Sequence, residues 1–317
     1  MEVRSFLLQR LSQWLADFGM TQGPEFRMIS RDVFDATIHP GVQVLASSSR
    51  YSRLVRNAAV LLVTAAAMAG AVDDGREVCA ASHEVGFVSR GVTLRGTLCL
   101  PASETLVAAV VLVEGAGQKT RNLGFARLLA RFGIATLTYD KRGVGASGGV
   151  YAGREVGTNN VSRENLDLLA ADAAAAVRAL RGEPRLRTVP RGLVGVSQAG
   201  WIIPLAALKD REVRALLRAT VDQVPWPDFD PREALSLLRI PGLWVFGGRD
   251  RNVDVDLSIE RLQALVAAGH SNYSYTLWPN YDHQLGGINP DVTEPAVAWI
   301  AVAVGRGRTR GRSAKAQ

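Results

Sequence analysis

The segment Leu193-Val194-Gly195-Val196-Ser197-Gln198-Ala199-Gly200 limits what this chain can fold into more than any other. An apolar run of strand type stops at a serine set among small residues, and a helical pattern over Trp201–Leu208 starts directly after it. Strand, sharp turn and helix with a serine at the tip is the layout of a nucleophile elbow. Such a turn strains the backbone at the serine and brings strand and helix close together, so it demands small neighbours. It also sets the Ser197 hydroxyl beside a helix N-terminus. There the Gln198 N–H and the positive end of the helix dipole can face a developing oxyanion. The segment departs from a strict G-x-S-x-G at one place: Ala199 stands where the second glycine belongs, and Gly200 follows it.

A serine hydroxyl is a poor nucleophile unless a base takes its proton, and the base needs an orienting carboxylate. After an elbow serine the acid comes next along the chain and the histidine last. The apolar run Ile240–Phe246 leads into Gly247-Gly248-Arg249-Asp250, which makes Asp250 the expected acid. Asp254 and Asp256 lie further along and read as solvated residues ahead of a helix over Ser258–Ala268. Asp222 and Asp282 remain alternative acids, although Asp282 adjoins the expected base and adjacent side chains diverge. Of the four histidines, His39 and His83 precede the serine, and His270 ends the helical pattern Glu260–Val266, reading as a cap at the negative dipole end. His283 lies in the loop after the short strand Tyr273–Trp278 and is the expected base. A second oxyanion donor belongs to the loop after the third strand. The run Leu106–Val113 ends in Glu114-Gly115-Ala116-Gly117, so the Ala116 N–H is the expected donor, with Gly117 as the alternative.

With these residues in place, the chain from about His83 to Val304 resembles the α/β-hydrolase superfamily and, within it, the bacterial esterase and dienelactone-hydrolase-like group. Tyr139-Asp140-Lys141-Arg142-Gly143-Val144-Gly145-Ala146-Ser147-Gly148 is similar to that group's D-x-R-G-x-G-x-S-x-G loop after the fourth strand, where the resemblance makes Asp140 and Arg142 structural pins. Trp244–Asp250 is similar to the acid loop and Tyr281-Asp282-His283 to the histidine loop. The resemblance implies the α/β-hydrolase fold: a mostly parallel central sheet with helices on both faces, an N-terminal antiparallel hairpin, and no or minimal cap. It further implies a serine hydrolase of carboxylesterase type. Small-molecule carboxylic esters or thioesters would be cleaved through an acyl-enzyme, with Ser197, His283 and Asp250 as triad, Gln198 and Ala116 as oxyanion donors, and no cofactor.

The chain departs from that group in several places. Glu114 stands where relatives commonly carry histidine, and Ala199 replaces a glycine. The interval from Ser197 to Asp250 is short, where relatives often insert a helical cap, and Trp226–Pro231 reads as the stub of one. Arg214 and Arg218 interrupt the apolar run of the sixth strand, which is expected to be weak. Peptidase or acyltransferase chemistry on the same fold, and a non-catalytic binding protein on a degenerated hydrolase scaffold, are the alternatives.

The rest of the pattern alternates strand and helix. A hairpin over His83–Val88 and Val92–Leu100 turns at Ser89-Arg90-Gly91, and strands follow at Val107–Val113, Ile134–Tyr139 and Leu193–Val196. Helices are expected over Asn122–Phe132 and Ser162–Arg181, the latter with Ser162 as N-cap and Leu166, Leu169, Ala170 and Ala173 as its apolar stripe. Alternation of this kind implies right-handed crossovers and a parallel sheet whose ligands bind at the strands' carboxyl ends. A length of 317 residues and a hydrophobic content of 47% suit one large α/β domain.

Residues 1–50 read as a leader or an over-long start. Arg50, Arg53 and Arg56 precede the apolar run Ala58–Ala69 of segment 51–71, with small-residue sites at Ala67-Met68-Ala69 and Ala69-Gly70-Ala71. That is the order of a secretory signal. Even carried on through the small residues to Val72, the run is only about fifteen residues, short for a membrane span; a short anchor or an Ala-rich core helix are the other readings. The hydrolase domain is then 72–304, and the protein is expected to be exported. Cys79 and Cys99 are the only cysteines. A turn near Arg90 sets Cys99 opposite Ser82, close to Cys79, so a disulfide fits an exported chain, with two separate buried thiols as the alternative. Much of the net charge of +7 sits in the tail 305–317, on Arg306, Arg308, Arg310, Arg312 and Lys315. A Gly/Arg tail reads as solvated, with weak attraction to anionic surfaces and no specific recognition of nucleic acid.

Overall fold

The computed structural model describes residues 79–103, 105–152, 162–210, 213–219, 230–285, 292–297, 299–300 and 303. The readings of the leader, signal and tail, of Asp222 and of residues 226–229 lie outside the described residues. Strands β1 (Cys79–Ser89), β2 (Val92–Pro101), β3 (Ala108–Val113), β4 (Ile134–Tyr139), β5 (Arg191–Val196), β6 (Val213–Ala219), β7 (Gly242–Gly247) and β8 (Tyr273–Trp278) form one sheet. Its order is β1-β2-β4-β3-β5-β6-β7-β8. β1–β2 and β2–β4 pair antiparallel, and every later pairing is parallel. The connecting helices are α1 (Leu123–Arg131), α2 (Arg163–Ala179), α3 (Ala199–Lys209), α4 (Pro231–Leu237) and α5 (Val255–Ala267). Residues 292–297 are also helical.

β3 and β7 are apolar and buried at every position because both of their faces are covered. Along β3, Ala109, Val111 and Val113 join one core with Leu166 and Ala173 of α2 and Ile203 of α3. The alternate residues Ala108, Val110 and Leu112 join a second core with Leu129 of α1 and Val297. β7 repeats the alternation, with Leu243 and Val245 in that second core and Trp244 and Phe246 against Leu262 of α5. Ser162 N-caps α2 as expected, its hydroxyl accepting from the Asn165 N–H.

The β1–β2 hairpin turns on Arg90 and Gly91, with φ of 45° and 75°. Two successive positive φ values match the right-handed strand twist. Ser82 pairs with Cys99, and β1 extends back beyond His83 to Cys79, which forms a disulfide with Cys99 at a Cα–Cα distance of 5.3 Å.

Three expectations are corrected. The sixth strand is not weak: β6 pairs with β5 along its length and with β7 from Leu216 to Ala219. A central strand is held by ladders on both sides, which override its arginines. α5 starts at Val255 rather than at Ser258, because Asp254 is its N-cap and accepts from the Leu257 N–H. His270 does not cap that helix with its ring. The cap is a backbone motif in which Gly269 (φ 101°) donates to Val266 O and His270 N–H to Leu265 O. The ring instead stacks on Tyr273 and lies 2.7 Å from the Arg239 guanidinium.

Candidate active site

Because the strands from β3 onward are parallel, the loops after β3, β5, β7 and β8 open at one edge of the sheet, and all the expected site residues fall there. Ser197 sits between β5 and α3 with φ of 57°, a left-handed conformation that costs a non-glycine residue about 1–3 kcal/mol. The surrounding glycines explain how the turn is accommodated. A Cβ on Gly195 would lie 2.4 Å from Ala199 Cβ and 2.7 Å from Val113 O. The contact between strand and helix is therefore closed by one methyl, from Ala199, and the departure from a strict elbow is absorbed there.

His283 Nε2 lies 3.1 Å from Ser197 Oγ, and its Nδ1 lies 2.8 Å from Asp250 Oδ2. The Asp250 side chain is fully buried and that of His283 is 12% exposed. A carboxylate can only accept, so Nδ1 carries the proton, Nε2 is the acceptor, and the Ser197 hydroxyl donates to it. Asp250 Oδ1 accepts from the Asn252 and Val253 N–H groups. Gly247 and Gly248 let the two loops meet: a Cβ on Gly247 would lie 2.4 Å from Asp282 O, and one on Gly248 2.8 Å from Pro279 Cα. Asp282 turns away from the ring and accepts from the Gln284 N–H. His83 is elsewhere, at 3.6 Å from Glu183.

The loop after β3 passes directly against the elbow, since a Cβ on Gly115 would stand 3.2 Å from Ser197 Cβ. Ala116 follows it, and Gly117 turns the chain with φ of 94°. Gln198 is buried. Burial lifts the Glu114 carboxyl above its usual range, against the opposing pull of Asn122, Lys119 and Lys141. The loop after β4 is pinned at both of the expected residues. Asp140 pairs with Arg121 at 2.9 Å and accepts from the Ala146 N–H. Arg142 pairs with Asp172 of α2 at 2.5 Å. Between them Lys141 reaches the elbow itself, a contact that its place in the sequence did not announce. An apolar cavity of about 70 Å³ adjoins His283 and is walled by Phe125, Val194, Val245, Leu285 and Val297.

Solved structures share this arrangement of strands and helices. The Pyrococcus furiosus esterase Pf2001 matches with a TM-score of 0.56 at 14% identity, over 69% of this chain and 89% of its own. Est1E from Butyrivibrio proteoclasticus, solved with ferulic acid bound, matches with a TM-score of 0.52 at 17% identity, over 70% and 99%. The chain has the α/β-hydrolase fold. A further α/β-hydrolase, GrgF from Penicillium sp. sh18, matches with a TM-score of 0.52 at 16% identity, over 70% of this chain and 99% of its own. No protein-family model and no curated protein matches the sequence. Within the α/β-hydrolase layout, Ser197 occupies the strand-to-helix turn, Asp250 the loop after β7 and His283 the loop after β8. Among the described residues, no group of His, Cys, Asp or Glu is arranged to hold a metal ion.

Proposed function

We propose that this protein is a serine hydrolase that cleaves small-molecule carboxylic esters or thioesters through an acyl-enzyme. The observation that carries the reading is the continuous relay from Ser197 Oγ through His283 to Asp250. Ser197 attacks the acyl carbon while Nε2 of His283 takes its proton. The imidazolium is held by Asp250, and the proton then passes to the departing alcohol or thiol. Water enters, His283 activates it, and the acid leaves. The N–H groups of Gln198 and Ala116 receive the oxyanion, with the N-terminus of α3 adding its dipole. The apolar cavity beside His283 suits the hydrocarbon part of an ester. Two of the structural neighbours are described as esterases, and a third is solved with ferulic acid bound, which favours ester hydrolysis over the peptidase and acyltransferase alternatives.

We infer that the enzyme is exported and acts outside the cytoplasm. The signal-type order of 51–71 and the Cys79–Cys99 disulfide support export.

The deciding experiment is fluorophosphonate labelling of the purified chain, with the modified peptide mapped by mass spectrometry. The reading requires an adduct on Ser197 that is lost in His283→Ala, together with turnover of p-nitrophenyl esters that is abolished in Ser197→Ala. A folded protein that takes up no label would leave the binding-scaffold alternative in its place.

A further inference from the structure

Lys141 has no part in the relay, yet it is buried at 4% exposure among the residues expected to receive the oxyanion. Its ammonium donates to the Gly115 carbonyl at 2.8 Å and to Gln198 Oε1 at 3.2 Å. Its own N–H donates to Lys119 O, which closes the loop from the other side. The first contact has a geometric consequence. The Gly115 carbonyl and the Ala116 N–H are two ends of one planar trans peptide, so they point in opposite directions. A cation that fixes the carbonyl therefore fixes the direction of the N–H, and polarises it as well. The second contact ties the same cation to the residue after the nucleophile.

Resting on the triad reading above, we propose that Lys141 is the positioning residue of the oxyanion hole, orienting the Ala116 N–H through the Gly115 carbonyl and locking that peptide to the elbow through Gln198. The alternative is that Lys141 only fills space, and the chemistry argues against it. Burying an ammonium costs more than burying a methylene chain of the same length. Its neighbours on the loop give it limited charge support. Glu114 faces it from the end of β3, Lys119 opposes it, and the Tyr151 ring lies at 5.9 Å. Asp140 and Arg142, on either side, are engaged with Arg121 and Asp172. Burial, partly offset by Glu114, brings the ammonium pKa down to about 8.

The test compares the wild type with Lys141→Met, which keeps the length and apolar stem but removes donor and charge, and with Lys141→Arg, which keeps a cation. Turnover of p-nitrophenyl acetate and inhibition by a trifluoromethyl ketone, whose adduct carries an oxyanion, are measured across pH. The positioning role requires kcat of Lys141→Met to fall about 10- to 100-fold with KM nearly unchanged, and trifluoromethyl ketone affinity to fall with it. The wild type should also lose activity as pH rises through about 8, and Lys141→Arg should lack that alkaline limb. A flat alkaline side would mean that the ammonium keeps its proton across the range, and the decision then rests on the variants. Should Lys141→Met fail to fold, Lys141→Gln is measured in its place. A folded variant of either kind whose kcat or trifluoromethyl ketone affinity stays within about twofold of wild type overturns the role. A wild type with neither turnover nor label overturns the triad reading, and the positioning role with it.

Discussion

Asp250 divides its carboxylate between two tasks: Oδ2 lies 2.8 Å from His283 Nδ1, while Oδ1 accepts from the Asn252 and Val253 N–H groups at 2.8 and 3.1 Å. The loop thus aims the acid, and the acid aims the ring. Asp250→Asn can keep the loop contacts, but its amide donates to Nδ1 and forces the proton onto Nε2, the wrong tautomer for a base. By analogy with other triads, kcat should fall about 10⁴-fold. Asp282→Asn serves as the control. Asp282 is exposed and contacts the Gln284 N–H, so kcat should change by less than about threefold. Steady-state kinetics on the two variants, with matched circular dichroism spectra, decides between the acids.

At the elbow, prediction follows from space. Gly195→Ala places a methyl 2.4 Å from Ala199 Cβ and 2.7 Å from Val113 O, where backbone and a short side chain cannot yield. Strand and helix must separate, which displaces Ser197 from His283. The expected result is a large loss of kcat together with destabilisation of about 1–3 kcal/mol. Ala199→Gly removes the opposing methyl, and the Gly195→Ala/Ala199→Gly pair should recover much of the stability in thermal melts. If the pair behaves as the sum of its single variants, the contact is not what makes the glycine necessary.

The parts of this site that could be read in the sequence are those where geometry restricts residue type. Gly195 and Ala199 are small because a strained turn leaves no room, and Asp250 and His283 fall in loops that a parallel sheet must open at one edge. β6 was hard to read because Arg214 and Arg218 break its apolar run, whereas its strand character comes from ladders on both sides. The role of His270 was misread because charge at a helix end looks like a cap, while Gly269 does the capping. Lys141 was invisible for another reason. Its partners are a backbone carbonyl 26 residues away and a side chain 57 residues away, and neither leaves a pattern in the sequence.

The pair Arg142–Asp172 is buried on both sides, with side-chain exposures of 8% and 1%, and Arg142 also donates to Ser89 O. Removing one partner leaves the other charge in the core. Asp172→Ala should cost about 3–5 kcal/mol, whereas replacing both residues, as Arg142→Met with Asp172→Leu, should cost much less. Urea denaturation of the three proteins tests this. A double variant that loses at least as much as Asp172→Ala would mean that the Arg142 contact to Ser89, which only the double variant removes, contributes as well as the ion pair.

The lowered ammonium of Lys141 makes a separate statement about stability. Its pKa stands at about 8 in the fold against an ordinary 10.5, because of burial. Between those values the unfolded chain holds a proton that the folded chain has released. Stability from this group therefore rises with pH across that window, and the full cost of burying the charge is present below it. Comparing wild type with Lys141→Met at about pH 7.5 and about pH 10, the wild type should gain relative to the variant at the higher value. A constant difference would mean that the ammonium stays protonated throughout.

The disulfide ties β1 to β2 across a sequence separation of 20. Both cysteines are buried against Ala126 and Ala130 of the α1 segment. A closed loop of this length removes about 3 kcal/mol of conformational entropy from the unfolded chain. β1 is an edge strand held by β2 alone, so its first residues depend on that covalent link more than the rest of the sheet does. Cys79→Ser with Cys99→Ser, or reduction with dithiothreitol, should lower the melting temperature by several degrees. The relay should keep its activity at low temperature, because the Ser197, Asp250 and His283 loops follow β5, β7 and β8, away from that edge. Hydrogen exchange should then show loss of protection confined to residues 79–85 and their partners on β2. Loss of activity in step with that local opening would mean instead that the edge strand and the site are coupled through the loops after β3 and β4, where Glu84 bonds Arg121.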